Sequence, residues 1–309
     1  MKIVALAGGV GGAKLVDGLA QLLSPDNLTV VVNTGDDFEH LGLYICPDLD
    51  TVCYTLAGKV NAETGWGRAG DSFFALENLA LLGAESWFRL GDRDLATHII
   101  RSYRLSAGHT LSEITADFCR AWGVFHTVAP MTDQPVRTIV DTTEHGEMSF
   151  QEYFVRRRFE PKVKGFRFSG LETARPSPTI LKAIEQSDAI IICPSNPWVS
   201  IDPILMIPDI LPAFENKKVV AVSPIIGGQT VKGPAAKMFA ELGIEPSALA
   251  VASHYKDLLT GFVLDSIDAS QEKDVKEMNL LTSVTNTLMK SSADRGRLAQ
   301  DVLNFIQSI

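Results

Sequence analysis

The sequence predicts an α/β fold: a Rossmann-like, mostly parallel sheet with helices on both faces and a mixed helical and β insertion. Three observations predict it. The runs 2–7, 28–32, 189–193 and 218–222 are almost wholly apolar and rich in Val and Ile, as strands covered on both faces must be. Each run stops at glycines, prolines or small polar residues, on the side of an open α/β sheet where ligands bind. The stretch joining the first two runs has helical spacing, so those strands pair in parallel through a crossover helix.

In chain order, 2–7 is the first strand and 8–12 a tight glycine turn. Residues 13–23 form a helix with Leu15, Leu19, Leu22 and Leu23 on one face. Ser24-Pro25-Asp26-Asn27 breaks it, and 28–32 returns as the second strand. Residues 71–123 read as mainly helical. From about 124 to 170 the pattern shifts to short β-like stretches, including 138–140 and 150–155, which suits a cap-like insertion. The strand 189–193 ends at Pro194-Ser195-Asn196-Pro197, and 218–222 ends at Ser223-Pro224, shortly before Gly227-Gly228. Residues 248–252 read as a further strand and 285–309 as a closing amphipathic helix. The whole chain, 1–309, is expected to be a single domain.

Composition narrows the function. The net charge is −9, from 37 acidic and 28 basic residues, which disfavours a nucleic-acid partner. The local cluster Arg156-Arg157-Arg158 could still meet a small anion. Four cysteines without a CxxC pair suggest buried fillers in a reducing compartment. The opening apolar run is too short for a signal peptide, and no run approaches the roughly 18 apolar residues of a membrane helix. A soluble, cytoplasmic protein is expected, with small-molecule partners.

The strongest motif is Gly8-Gly9-Val10-Gly11-Gly12-Ala13-Lys14. Glycines let a ligand approach the backbone, and the helix N-terminus favours an anion. The spacing is neither GxGxxG nor a Walker sequence. Asn33-Thr34-Gly35-Asp36-Asp37 closes the second strand, and Asp36 could hold a ribose hydroxyl or a metal. Asp48 and Asp50 follow in Pro47-Asp48-Leu49-Asp50-Thr51. Carboxylates converging on a phosphate site suit Mg²⁺, although Asp48 could instead cap a helix. In Arg89-Leu90-Gly91-Asp92-Arg93-Asp94, Arg and Asp together can orient a phosphate or a planar polar ring. His98 reads as a packed helical residue rather than a base. Ser195, Asn196 and Gly227 sit after buried strands, where hydroxyl, amide and free N–H groups suit a nucleotide or its phosphates. No order of Ser, His and Asp supports covalent hydrolysis.

GGVGGAK, VVNTGDD, ICPDLDTVCYTLAG, RLGDRDLATHIIR, MTDQPVRT, FQEYFVRRR, PSNPWVSIDPIL and AVSPIIGG together resemble the 2-phospho-L-lactate transferase family, CofD in archaea and FbiA in actinobacteria. In that family the deazaflavin alcohol Fo attacks a guanosine diphosphate ester of a small acid, and GMP leaves. The resemblance implies that Asp50 and Arg89, and more weakly Asp92, bind Fo. It implies Mg²⁺ near Asp36 and Asp50, and the donor nucleotide on Gly8, Gly9, Gly11, Gly12, Ser195, Asn196 and Gly227. It also implies a homodimer and leaves the acid unit open among lactyl, enolpyruvyl and glyceryl. Asp50 is the candidate to take the alcohol's proton. Two other readings compete: a nucleotide-sugar-binding regulator of the same wider superfamily, and an NAD-dependent oxidoreductase resting on the βαβ start and Asp36.

Overall fold

The computed structural model describes residues 1–309. The chain runs through β1 (Ile3–Ala7), helix α1 (Gly9–Leu22), β2 (Leu28–Val32) and a hairpin of β3 (Phe38–His40) and β4 (Leu43–Ile45). Helices α2 (Pro47–Leu56), α3 (Phe74–Leu81), α4 (Asp92–Ser106) and α5 (Leu111–Ala121) lead to β5 (Thr127–Pro130). Three antiparallel strands follow: β6 (Arg137–Thr142), β7 (Gly146–Ser149) and β8 (Val163–Ser169). The second half adds β9 (Ala189–Ile192), β10 (Lys218–Val222), the small hairpin β11 (Ile225–Ile226) and β12 (Gln229–Thr230), then β13 (Gly261–Asp265), β14 (Leu281–Thr285) and a closing helix, Ser292–Ser308.

Seven of these strands form one parallel sheet in the order β14-β13-β10-β9-β1-β2-β5. From β1 the chain steps one way to β2 and β5, then returns to β9 on the other side of β1. That reversal leaves a crevice outside the carboxyl ends of β1 and β9, the place where open α/β sheets bind ligands.

Period-two side-chain alternation divides the strands between two cores. Val4, Leu6, Ile190, Ile192, Val219 and Ala221 join one buried cluster with helices Pro178–Gln186 and Ala248–Tyr255. Ile3, Ala5, Ala7, Val30, Ile191 and Val220 join the other with α1, α2 and the closing helix. Helices therefore cover both faces. Leu15, Val16 and Leu19 of α1 are fully buried there, each such side chain contributing about 1.5–3 kcal/mol. Gly18 lets the closing helix approach, since a Cβ would collide with the Arg295 carbonyl.

Several expectations change. Residues 248–252 are helical, capped by Ser247 Oγ accepting from Ala250 N; a five-residue apolar run has no periodicity that separates strand from buried helix. Thr127–Pro130 pairs with β2 as the sheet's edge, so the insertion is the smaller sheet β6–β8, and 150–155, expected as β-like, is helical, with a π-helical turn over Glu152–Arg156. Leu22 is 43% exposed and lies off the buried face of α1. No helix is long and apolar enough to cross a membrane.

Candidate active site

A cavity of about 630 Å³ opens at the crevice, lined by the glycine turn, the first turn of α2, part of α4 and the loops after β9 and β10. Its two ends are chemically unlike.

At one end, β1 runs straight into α1. Gly8 occupies the N-cap position and offers no side chain, and the first turn holds no acid. The Asp48 carboxylate takes the Gly9 N–H, and the remaining first-turn N–H groups suit an anion. Gly9 adopts φ +60, a conformation that favours glycine. Gly11 packs on the Pro194 carbonyl and Gly12 on Ser195 Oγ, which a Cβ on Gly12 would approach to 2.6 Å. Ser195 Oγ accepts from Gly8 N at 3.1 Å and donates to Gly8 O at 2.7 Å. Asn196 Oδ1 accepts from Trp198 N at 3.1 Å and caps the π-helical turn Pro197–Ile201. Both residues line the cavity and also hold its glycine wall in shape.

Two nucleotide-side expectations move. Gly12 lies behind the wall rather than on it. Gly227 turns the β11–β12 hairpin, with Gly227 and Gly228 at φ +57 and +74, and donates its N–H to the Asp268 carboxylate. That N–H is unavailable to a phosphate, and Gly227 is not part of the cavity lining.

The other end is acidic. Asn33 Nδ2 donates to Asp48 Oδ2 at 2.9 Å, and Asn33 Oδ1 accepts from Gly35 N. Asp48 sits against the glycine turn, its Oδ2 2.7 Å from where a Gly8 Cβ would stand. It belongs to the first turn of α2, whose N-cap is Cys46, so it is not the cap. Asp36 is buried, and its Oδ1 has no hydrogen-bond partner. Burial first, then the charges of Asp48 and Asp37, push its carboxyl well above the carboxylate range. Burial likewise raises Asp48 to about 6 against the pull of Asn33, and Asp37, behind the lining, to about 8.

Asp50 is held differently. Its carboxylate makes a two-pronged pair with Arg101, through Nη2 to Oδ1 and through Nη1 to Oδ2 at 3.0 Å. Arg101 is 1% exposed. His98 lies between, with Nδ1 3.7 Å from Asp50 Oδ2 and Nε2 3.4 Å from Asp94 Oδ2. Tyr54 completes the chain by donating to Asp94 Oδ1 at 2.6 Å. Asp50, Asp94 and His98 place ligand atoms within 4.8 Å of one another, yet the Arg101 guanidinium already supplies the positive charge there.

The acids that fit a divalent cation are Asp36 and Asp48. They are buried, mutually repelling and without a basic partner, and Asp36 has a free oxygen. Hard carboxylate oxygens are what Mg²⁺ takes. Of the two expected metal residues, Asp36 keeps a free oxygen and Asp50 is engaged by Arg101.

Trp87, Phe88, Phe150 and Phe154 add flat apolar walls to the cavity, and Trp66 lines it beside the glycine turn. Arg89 also lines the cavity, its guanidinium 4.3 Å from the Phe73 ring centre. Asp92 does not join it. Its carboxylate accepts from Ser72 Oγ, Phe74 N and Ala75 N, satisfying the free N–H groups that open α3. Asp94 faces the cavity instead. The reading from sequence also passed over His98 and Arg101. Asp94, His98 and Arg101 are spaced four and three apart, which puts them on one face of α4.

Comparison with known proteins gives the family. The family model described as 2-phospho-L-lactate transferase CofD matches residues 3–306. A phosphoenolpyruvate transferase of Thermobifida fusca is 48% identical over 282 residues, covering 87% of this chain and 88% of that protein. A 2-phospho-L-lactate transferase of Methanosarcina mazei is 41% identical, covering 97% and 99%. The fold also resembles a crystal structure of a UPF0052-family protein of Bacillus halodurans, with TM-score 0.65, 13% identity and 98% of each chain covered. That likeness concerns the fold alone. On its sequence, the chain belongs to the CofD family of transferases.

Proposed function

We propose that the chain transfers a phosphorylated three-carbon acid unit from a guanosine diphosphate ester to the primary alcohol of the deazaflavin Fo. The unit is phospholactyl, phosphoenolpyruvyl or phosphoglyceryl. The observation that carries this reading is a single cavity with two unlike ends, a glycine turn at a helix N-terminus facing buried acids and aromatic walls. The names of the relatives support the acid unit.

The hydroxyl oxygen of Fo attacks the β-phosphorus, the bond from that phosphorus to the bridging oxygen breaks, and GMP departs. Such a displacement needs positioning and charge neutralisation more than a covalent nucleophile. The N-terminus of α1 holds the donor's phosphates. Asp36 and Asp48 would hold Mg²⁺, which when bound supplies positive charge to the diphosphate. The aromatic walls and Arg89 hold the deazaflavin ring. Asp50, fixed by Arg101 at the cavity floor, takes the proton of the attacking hydroxyl.

Asp50→Asn is a poor test of that last step by itself, because it leaves Arg101 buried without its carboxylate. The reading of the two ends is tested by binding. Fo fluorescence and GDP calorimetry should report one site each, with both ligands held at once by one molecule. Mutual exclusion of Fo and GDP would overturn it.

A further inference from the structure

Two lysines line the glycine end, and neither has a carboxylate partner. Lys14, on α1, donates to the Met289 carbonyl at 2.9 Å. Lys232 follows the β11–β12 hairpin and donates to the carbonyls of Thr64 and Glu63. An ammonium carries three donors and no acceptor, so both keep N–H groups free. Lys232 belongs directly above the glycine turn: a Cβ on Gly65 would stand 3.2 Å from its Nζ and 2.7 Å from Val10 Cγ1. The nearby Arg295 is paired with Asp17 at 3.1 Å.

We propose that Lys14 and Lys232 are the diphosphate-binding cations of the donor subsite, Lys232 reaching it from outside the Rossmann-like core. The assignment of this end to the donor rests on the function proposed above. Two ammoniums facing one cavity repel unless a multiply charged anion lies between them, and burial, Arg295 and Lys232 together hold Lys14 below the ordinary lysine value. A nucleoside diphosphate supplies the anion. Its first phosphate can rest on the N–H groups of α1 while the second meets the lysines. The lysines thereby neutralise the phosphate under attack, while the charge that grows on the departing nucleoside-side phosphate falls to the N–H groups of α1. The loop carrying Lys232 also meets residues 63–65, next to Trp66.

The test uses the full-length protein and two probes, GDP and inorganic pyrophosphate, in calorimetric titrations of wild type, Lys14→Met, Lys232→Met and Lys232→Arg. Each Met variant should weaken both probes at least tenfold, flatten the salt dependence of binding and leave Fo affinity within twofold. Lys232→Arg should recover most of the loss, which an effect on folding would not. GDP binding to wild type with unchanged affinity in both Met variants would overturn the proposal and leave the donor reading standing. Lysine-dependent binding of pyrophosphate without any binding of GDP would support the lysines and reject the guanosine donor.

Discussion

The two ends of the cavity are built from different materials. The glycine end is mostly backbone: Gly8, Gly9 and Gly11 are shaped by β1, α1 and the Pro194 carbonyl, with Ser195 as a clasp. The acid end is side chain: Asp36, Asp48, Asp50, Asp94 and His98 project from a loop and two helices. Backbone sites come with the fold and need little electrostatic compensation. Buried carboxylates need partners, and here they divide into a group neutralised by Arg101 and a group that has no cation. Substitution at the acid end should therefore cost stability before binding, and a small increase in side-chain volume should do most harm at the glycine end.

The largest expected effect comes from Arg101→Met. Removing the guanidinium leaves Asp50 and its acidic neighbours buried without compensation, which should destabilise the fold by about 3–5 kcal/mol. Denaturant unfolding measures it, and a loss below ~1 kcal/mol would show that the acid end tolerates its charge unaided. Gly11→Ala tests the other end. Its Cβ meets the Pro194 carbonyl, a backbone atom that cannot step aside, so a cost of about 1–3 kcal/mol should accompany loss of GDP binding.

A third experiment separates the two acid groups by pH. Asp48 titrates at about 6 against an ordinary 3.8, and Asp36 is raised too. Acids with raised folded values hold protons that the unfolded chain has released, so stability without a cation falls as pH climbs from about 4 through 6. Mg²⁺ has to displace those protons. The thermal stabilisation it gives should thus be larger at pH 8 than at pH 5, and Asp36→Asn should abolish the difference. Equal stabilisation at both pH values would place the cation elsewhere. The smallest effect belongs to Asp92→Ala, which removes hydrogen bonds to the start of α3 and should cost about 1 kcal/mol with Fo affinity unchanged. A marked loss of Fo affinity would return Asp92 to the site.

The fold and the glycine end were legible in the sequence because both are local. Apolar runs, glycine punctuation and helical spacing lie within a few residues of one another, and they located four strands and the turn. β13 and β14 escaped: their neighbouring sequence offers a more apolar run at 248–252 that forms a helix, and edge strand β14 is half polar, Leu-Thr-Ser-Val-Thr. At the acid end, the acidic residues were visible but their pairing was not. Whether Asp36 faces Asp48 or Asp50, and whether Asp92 or Asp94 enters the cavity, depends on how α2 and α4 dock. Gly227 was misplaced for the same reason, since its partner Asp268 lies 41 positions away in the chain.

The most direct test of the central claim is a single assay of purified protein with Fo, Mg²⁺ and each of the three guanosine diphosphate donors, followed by mass and by GMP release. One donor should convert Fo to its phosphoester with one GMP released per product. Tight binding of GDP and Fo without product from any donor would contradict the transferase reading and leave a protein that binds these ligands without joining them.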